Sequence, residues 1–155
     1  KVRVLETSVE FIGNVLRGRD ILLVDGGAQR RSFTYIDDGI DALIRIIENK
    51  DNAADSRIFN IGNPGNDMSV RELAQTLIEL IKTYPKYAKL AENVKLVTVK
   101  SSDYYGEGYQ DIQTRVPSVE NAEKYLGWKP TTDLKTALRK TLDYHLGRPS
   151  SELSE

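Results

Sequence analysis

Residues 22–43, LLVDGGAQRRSFTYIDDGIDAL, decide the fold of this chain. The apolar run at their start predicts a short buried strand. Asp25-Gly26-Gly27 is a turn signal, and the alternation of apolar and polar residues over 31–36 predicts a second strand. Asp37 or Asp38 is then expected to cap a helix. The stretch therefore predicts strand, turn, strand and helix in quick succession.

Apolar residues at helical spacing predict one helix before this stretch and one that begins within it. The first carries Leu5, Val9, Ile12 and Leu16, and the second carries Ile40, Leu43, Ile44 and Ile47. An apolar stripe of this kind is typical of a helix that packs one face on a core.

Beyond residue 50 the sequence predicts further strands and helices and one polar loop. Strands are expected at 57–61 and 94–99. A capping box, Ser69-Val70-Arg71-Glu72, opens a helix that Tyr84-Pro85 ends. The other expected features are a tyrosine-bearing loop at 101–114, a short helix over 117–126, a helix over 134–142 and a frayed tail over 149–155. The residues alone indicate a small α+β domain in which helices outnumber strands.

Composition excludes several classes of function. The 155 residues carry 22 basic and 23 acidic side chains, so bulk charge favours neither nucleic acid nor an anionic membrane. There is no cysteine and only one histidine, His145, which excludes thiolate metal sites and argues against any other metal centre. No apolar run approaches the ~18 residues that span a bilayer. We expect a cytoplasmic protein without metal, nucleic-acid or membrane partners.

The first residue is Lys1 rather than methionine, and no basic-then-apolar signal segment follows it. A helical pattern begins within a few residues. We expect the sequence to be part of a longer protein.

The segment 22–31, LLVDGGAQRR, is the most informative for function. A strand, a glycine turn and the adjacent Arg30 and Arg31 make a natural anion site, because glycine lets a backbone approach closely and arginine can bind phosphate through two hydrogen bonds. The alternative, which the spacing alone favours, is a hairpin with solvated arginines.

Two other motifs have the spacing of nucleotide-enzyme signatures but are interpreted as structural. Gly62-Asn63-Pro64-Gly65 lies between a strand and a helix, yet it lacks the first Gly-x-Gly of a dinucleotide loop and contains proline, so we expect a turn and a cap. Tyr125 and Lys129 have the spacing of a catalytic Tyr-x-x-x-Lys pair. Because Gly127 and Pro130 interrupt the segment, one helix through both residues is not expected.

The aromatic residues of the polar loop leave two interpretations open. Tyr104, Tyr105 and Tyr109 lie beside glycines, where a tyrosine can stack on a base or bind a ligand, and where it can equally fill the core. His145 falls in the last helix without an obvious partner and is interpreted as a surface or boundary histidine.

Three stretches in the right order resemble the extended type of the short-chain dehydrogenase/reductase family, the extended SDRs. Residues 22–43 are similar to its strand, glycine turn, R-x-F-x-x-V-x-D and helix. Residues 59–74, FNIGNPGNDMSVRELA, resemble its F-N-I-G segment and S-x-x-E-L helix, and 117–142 resemble its L-G-W-x-P ending. The resemblance implies an α/β family in which residues 1–148 are the small α+β C-terminal nucleotide-sugar-binding part, without most of the Rossmann half.

Within that family, 101–118, SSDYYGEGYQDIQTRVPS, resembles the UDP-glucuronic acid oxidative decarboxylases of the ArnA type, found in bacterial bifunctional polymyxin-resistance proteins. The resemblance implies NAD-dependent oxidation at C4 of UDP-glucuronic acid and then decarboxylation to a UDP-4-keto-pentose, in the lipid A aminoarabinose pathway. It implies a homo-oligomer for the full-length enzyme and NAD bound mainly outside this chain, which alone is expected to be inactive.

The resemblance also assigns site residues. It places Arg115 at the reacting sugar as the catalytic residue and Tyr109 at the UDP. The substrate-binding segment comprises Leu22, Leu23, Val24, Asp25, Gly26, Gly27, Ala28, Gln29, Arg30 and Arg31. A UDP-xylose synthase, another nucleotide-sugar epimerase or dehydratase, and a non-catalytic nucleotide-sugar-binding module stay open as alternatives.

Overall fold

The chain folds into two compact units, as described for residues 4–107 and 112–147 by a computed structural model. The first unit lies within Lys1–Gln29, Ser69–Gln113 and Leu138–Glu155, and the second within Arg30–Met68 and Thr114–Ala137. In chain order the helices and strands are α1 (Val4–Leu16), β1 (Ile21–Val24), β2 (Arg30–Ser32), α2 (Ile36–Glu48), β3 (Asp67–Ser69), α3 (Val70–Lys82), α4 (Pro85–Asn93), β4 (Leu96–Val99), α5 (Ser101–Tyr105), β5 (Thr114–Arg115), α6 (Glu120–Leu126) and α7 (Leu134–Leu146).

The first unit is built on a pair of parallel strands. β1 pairs with β4 in a register that joins Ile21 to Leu96 and Val24 to Val99. Because side chains alternate along a strand, Ile21 and Leu23 are fully buried whereas Leu22 is 43% exposed. α1 and α3 contact β1, and α4 contacts both helices. The large side chains buried in this unit include Phe11, Val15, Leu73, Leu77, Ile81 and Leu142.

The second unit has a small core around the only tryptophan of the chain. Trp128 is fully buried with Ala42 and Ala122, and its indole Nε1 donates to the Asp38 carbonyl at 2.9 Å. The partly buried side chains that pack on this core are Phe59, Ile61, Val119 and Leu126. β2 is the middle strand of a sheet ordered β3-β2-β5, and it runs parallel to β5.

The start of α3 confirms the predicted capping box. Ser69 Oγ accepts from the Glu72 amide at 3.1 Å, and the Glu72 carboxylate accepts from the Ser69 amide at 2.7 Å. Pro85, however, is the first residue of a further helix, α4, which the sequence did not predict. The pattern was interpreted only as a helix stop, although proline is also favoured at the first position of a helix, where its missing N–H has no partner to lose.

The predicted strand over 31–36 is wrong in its bounds, since β2 ends at Ser32. From there the chain bonds to a 3₁₀ turn at Pro64–Asn66: Ser32 Oγ donates to the Asn63 carbonyl at 2.6 Å, and the Phe33 amide donates to the Asn66 carbonyl at 3.2 Å. The prediction that Asp37 or Asp38 caps the next helix is also wrong. Tyr35 is the N-cap of α2, and both aspartates lie in its first turn.

The predicted strand over 57–61 does not form. No strand ladder within the described ranges includes it. Two asparagine side chains hold the segment instead: Asn121 Nδ2 donates to the Ile58 carbonyl, and Asn60 Nδ2 donates to the Ser118 carbonyl, both at 3.2 Å. The alternating residues are therefore held by side-chain hydrogen bonds instead of a strand pairing among the described residues.

α2 is helical as predicted, but its apolar stripe is exposed. Ile36, Ile40, Leu43, Ile44 and Ile47, called here the α2 apolar face, are 45–80% exposed. The residues that α2 buries are Asp38 and Ala42. The periodicity identified the helix correctly and its buried face wrongly.

The segment 101–114, predicted as a loop, contains α5 and the start of β5. Residues 108–111 and 148–155 lie outside the described residues, so the boundary between a domain at 1–148 and a tail stays a prediction. No helix of the described residues is long and apolar enough to cross a membrane.

Candidate functional site

Two arginines lie side by side in the second unit. β2 and β5 pair in parallel with Arg31 opposite Arg115. Residues opposite each other on neighbouring strands, about 4.8 Å apart, project to the same face of a sheet. Arg115 is exposed and Arg31 is half-buried. This register brings together Arg115, which the resemblance places at the sugar, and Arg31, one of the two arginines of the predicted anion site.

Arg30 has a different partner. Successive side chains of a strand alternate between the faces of a sheet, so Arg30 projects away from Arg31. Arg30 Nε lies 2.8 Å from Asp67 Oδ2, and its NH2 donates to the Asp67 carbonyl at 3.1 Å. Asp67 Oδ1 is buried without a hydrogen-bond partner among the described residues. The ion pair with Arg30 therefore offsets the cost of burying the Asp67 carboxylate. Arg30 thus ties β2 to β3.

The chain just after Arg115 is fixed by a close contact. A Cβ on Gly62 would lie 2.4 Å from Cγ of Pro117, so only glycine fits against this proline. Asn60 Nδ2 bonds the next residue, Ser118, through its carbonyl. Pro117 therefore has a packing partner that sets the direction in which β5 leaves the sheet.

The predicted substrate segment divides between the units: residues 22–29 belong to the first unit, and Arg30 and Arg31 to the second. In the first unit, Leu22, Asp25 and Ala28 are exposed, whereas Leu23 and Gly27 are buried. Leu23 fills the core, so a ligand could reach only its backbone. The remaining residues of this stretch, Val24, Gly26 and Gln29, are half-buried.

Gly62-Asn63-Pro64-Gly65 forms a turn and a cap, as predicted. Asn63 Oδ1 accepts from the Gly65 amide at 3.0 Å and caps the 3₁₀ turn. The side chains of Asn63 and Asn66 are buried, and each donates to the Thr132 carbonyl at 3.0 Å. Gly62 serves the contact with Pro117. The residues of this segment are committed to packing, so they do not fit a loop that wraps the pyrophosphate of NAD.

Tyr125 and Lys129 do not share one helix, as predicted. α6 ends at Leu126, and Gly127 follows it with φ of 61°. Lys129 Nζ bonds Glu123 at 2.5 Å. Tyr125 borders an open cleft of about 630 Å³, where the hydrogen bond from Lys124 is the main cause that lowers its pKa. The tyrosine therefore has its own cationic neighbour.

The two described tyrosines of the segment 101–114 are on the surface. Tyr104 and Tyr105 lie on α5 with their rings edge to face at 4.8 Å, and they are 44% and 39% exposed. They do not fill the core. Tyr109, the residue assigned to the nucleotide, lies outside the described residues. His145 is exposed and packs edge-on against Tyr144, in agreement with a surface histidine.

Asp38 is a buried carboxylate whose role the sequence analysis missed. It is 7% exposed, and its oxygens accept from the amides and hydroxyls of Thr131 and Thr132 at 3.0–3.3 Å. Burial raises the pKa of Asp38, but these four hydrogen bonds outweigh burial and lower the pKa below its usual value. The sequence signal for this role is the pair Thr131-Thr132, which follows Trp128-Lys129-Pro130. Two adjacent threonines supply amide and hydroxyl donors that a carboxylate can accept from.

Comparison with known proteins assigns a family to part of the chain. Residues 6–62 match the NAD dependent epimerase/dehydratase family. This chain carries an epimerase/dehydratase-family segment. The match spans β1, the glycine turn, β2 and α2, and ends just before the turn at Pro64–Asn66. Among the described residues, none gather as three or more potential metal ligands.

Solved structures extend the likeness of the epimerase/dehydratase segment to nearly the whole chain. PbgP3 protein from Burkholderia pseudomallei is 43% identical with a TM-score of 0.80, and the match covers 94% of this chain and 40% of PbgP3. UDP-glucose 4-epimerase from Thermotoga maritima, solved with UDP-glucose, is 25% identical with a TM-score of 0.69 over 89% and 38%. UDP-glucuronic acid 4-epimerase from Bacillus cereus, solved with UDP-glucuronic acid and NAD, shares the fold at 22% identity, with a TM-score of 0.67 over 89% and 38%. The chain is thus an α/β chain of extended-SDR fold that spans about 40% of the length of these proteins.

Proposed function

We propose that this chain is the UDP-sugar-binding portion of an NAD-dependent UDP-glucuronate decarboxylase. The observation that supports this most is the register that sets Arg31 beside Arg115. Support also comes from the family of residues 6–62 and from a 25% identical structure solved with a UDP-sugar. The resemblance of 101–118 to the ArnA-type decarboxylases is the reason for choosing decarboxylation, and with it the lipid A aminoarabinose pathway.

The proposed ligand has two anionic groups, and the register of β2 with β5 places two arginines on one face of the sheet. UDP-glucuronate carries a diphosphate and a carboxylate on C5 of the sugar. Arginine binds either group through two parallel hydrogen bonds, which fixes orientation as well as charge. We assign the carboxylate to Arg115, as the resemblance implies, and the diphosphate to Arg31, because Arg31 lies opposite Arg115 in the sheet. Tyr109 and the exposed residues of 22–29 are proposed as nucleotide contacts.

Arg115 is proposed to act through its charge. Once C4 is a ketone, loss of carbon dioxide from C5 leaves an electron pair that is delocalised into the C4 carbonyl as an enolate. A guanidinium held beside the carboxylate orients it first and then stabilises this developing negative charge. A guanidinium would be a poor proton donor to C5, because arginine keeps its protons in proteins. The proton comes from water or another acid.

NAD is proposed to bind outside the described residues of this chain. The segment most similar to a dinucleotide loop, 62–65, is committed to packing against Pro117 and Thr132. The family match and a structure of the same fold solved with NAD support the use of this cofactor by the full protein, where it would accept hydride from C4.

The second candidate function is another UDP-sugar reaction, either epimerisation or dehydration. It is supported by the UDP-glucose 4-epimerase, which has the same fold at 25% identity. UDP-xylose synthesis and non-catalytic nucleotide-sugar binding are further outcomes of the same test. Release of carbon dioxide separates the decarboxylases from the other reactions. The pentose product then separates the two decarboxylases, because a UDP-xylose synthase reduces the keto group again.

The test measures carbon dioxide released from UDP-glucuronate by the full-length protein. Arg115→Met is expected to lower the rate by ~10²-fold or more, the scale of losing one preorganised charge-stabilising group. Arg115→Lys should recover part of the rate if charge dominates and little if the planar fork is required. Arg19→Met removes an equally charged, exposed arginine of the first unit and serves as the control. A wild-type rate in Arg115→Met would exclude this residue from the mechanism.

A further inference from the structure

The turn that follows β1 has an unusual backbone. Asp25, Gly26 and Gly27 have φ of 46°, 78° and 71°, three left-handed residues in a row. Glycine adopts this region freely, but an aspartate does so only when its surroundings hold it there. Gly27 is also buried, and a Cβ on it would lie 3.0 Å from the Arg71 amide nitrogen. The surroundings of this turn therefore determine its shape.

One support of the turn is the carboxylate of Asp25. Its Oδ1 accepts from the Ser101 amide at 3.0 Å, at the first residue of α5. α5 carries Tyr104 and Tyr105 and is followed by the glycine-rich stretch that leads to Tyr109. The bond connects two stretches of the first unit that are 76 residues apart in the chain. The first stretch, and Tyr109 beyond the second, are the proposed nucleotide contacts.

The other support is Arg71 in the first turn of α3. Its Nε donates to the Gly26 carbonyl at 2.8 Å, and its NH2 lies 3.4 Å from Thr98 Oγ1 on β4. The preceding residue, Val70, donates its amide to the Gln29 carbonyl at 3.1 Å. Across the described part of the chain, no carboxylate forms an ion pair with Arg71, so its guanidinium is bound by the turn and the strand.

We propose that Asp25 and Arg71 are positioning residues that clamp the 25–27 turn from two sides and so fix it relative to α5. This inference rests on the proposed function, because it assumes that the turn and the tyrosine segment contact the nucleotide. Neither residue needs to touch the ligand through its side chain. The clamp keeps a strained turn in one conformation before the ligand arrives, which lowers the ordering cost of binding.

The first test replaces Arg71. Calorimetry with UDP on the full-length protein should show that Arg71→Ala weakens binding about threefold to tenfold, because the side chain acts on the ligand only through the turn that it holds. Arg17→Ala is the matched control, since Arg17 also donates to a backbone carbonyl, that of Gly13 in α1. Equal UDP affinity in the Arg71→Ala and wild-type proteins would overturn the role of Arg71.

The second test uses two replacements of Asp25 that both tolerate a positive φ. Asp25→Gly relieves backbone strain and removes the acceptor, so the melting temperature should hold while UDP affinity falls. Asp25→Asn keeps an acceptor oxygen for Ser101 and should recover most of the affinity, which a merely structural role would not require. Equal loss in both variants, or loss in neither, would contradict the clamp.

A last readout separates the clamp from the proposed function. If the wild-type protein binds no UDP, the proposed function fails, and amide hydrogen exchange then decides the clamp alone. Faster exchange of the Ser101 amide in Asp25→Gly than in Asp25→Asn would support it. Identical exchange in the two variants would overturn it.

Discussion

Two adjacent arginines on β2 differ in their partners, and that difference can be measured. Arg31 lies opposite Arg115, whereas Arg30 compensates Asp67. We expect Arg31→Ala to weaken UDP binding by about 1.5–3 kcal/mol, the loss of a charge-assisted contact. Arg30→Ala should instead lower the melting temperature, because it leaves the half-buried Asp67 without its cation. Calorimetry and thermal melting of the full-length protein distinguish the two.

The comparison has its own internal control, since both variants remove the same charge from neighbouring positions. Equal loss of affinity in the two would mean that net charge, rather than the register with Arg115, governs binding. Unchanged affinity in both would place the anion site elsewhere.

Asp38 couples the stability of the second unit to pH. A carboxylate whose pKa is lowered on folding stabilises the fold above its unfolded pKa of about 3.9 and loses that contribution as pH falls through the lowered folded value. We expect Asp38→Asn to cost about 1–3 kcal/mol at neutral pH, because the donors of Thr131 and Thr132 lose their charged acceptor. Urea unfolding followed by Trp128 fluorescence measures this, since Trp128 bonds the Asp38 carbonyl.

Asp37→Asn is the matched control, because Asp37 is the exposed carboxylate next in the chain. Its unfolding free energy should stay close to that of the wild type. If acidification destabilised the Asp38→Asn and wild-type proteins equally between about pH 5 and pH 3, a different carboxylate would be responsible for the pH dependence.

At the scale of elements, the α2 apolar face has a direct consequence for solution behaviour. Leu43 and Ile47 are 55% and 80% exposed, and exposed apolar patches drive self-association. The double variant Leu43→Lys/Ile47→Lys of this chain should sediment with less self-association and keep its melting temperature within a few degrees. Ala42→Lys, at a fully buried position of the same helix, should unfold the second unit. A comparable loss of stability in the double variant would show that the α2 apolar face is packed.

The elements that the sequence predicted well are those whose signals are local. The capping box of α3 lies within four residues, and both of its reciprocal bonds form. The wrong predictions depended on distant partners. Alternation at 57–61 fits a strand, but no described strand pairs with it, and the stripe of α2 does not say which face finds a core. Local patterns cannot supply either fact.

In the candidate site, too, the local features could be predicted from the sequence and the contacts between distant residues could not. Adjacent arginines and a glycine turn were visible in 22–31, and the resemblance added Arg115. That Arg31 rather than Arg30 lies beside Arg115 follows from a strand register, and the ion pair of Arg30 with Asp67 joins residues 37 apart. The sequence gives no local signal for the clamp by Arg71, because Arg71 bonds Gly26 across 45 residues of the chain.

At the scale of the whole molecule, the chain is expected to lack NAD binding. None of its described segments is available as a dinucleotide loop, and it spans about 40% of the length of its structural relatives. Mixed with NAD and UDP-glucuronate, the 155 residues should give no absorbance rise from reduced cofactor at about 340 nm. The full-length protein under the same conditions is the positive control. Cofactor reduction by the isolated chain would overturn this expectation.

The pairing of β2 with β5 also bears on the order of folding. The two strands come from positions about eighty residues apart, and closing so long a loop is entropically unfavourable until other contacts offset it. Helices such as α2 and α3 form from near neighbours and can precede it. The register of Arg31 with Arg115 is then among the last contacts to form. An anion that binds both arginines can bind only after β2 and β5 have paired. It should therefore slow unfolding and leave the folding rate nearly unchanged.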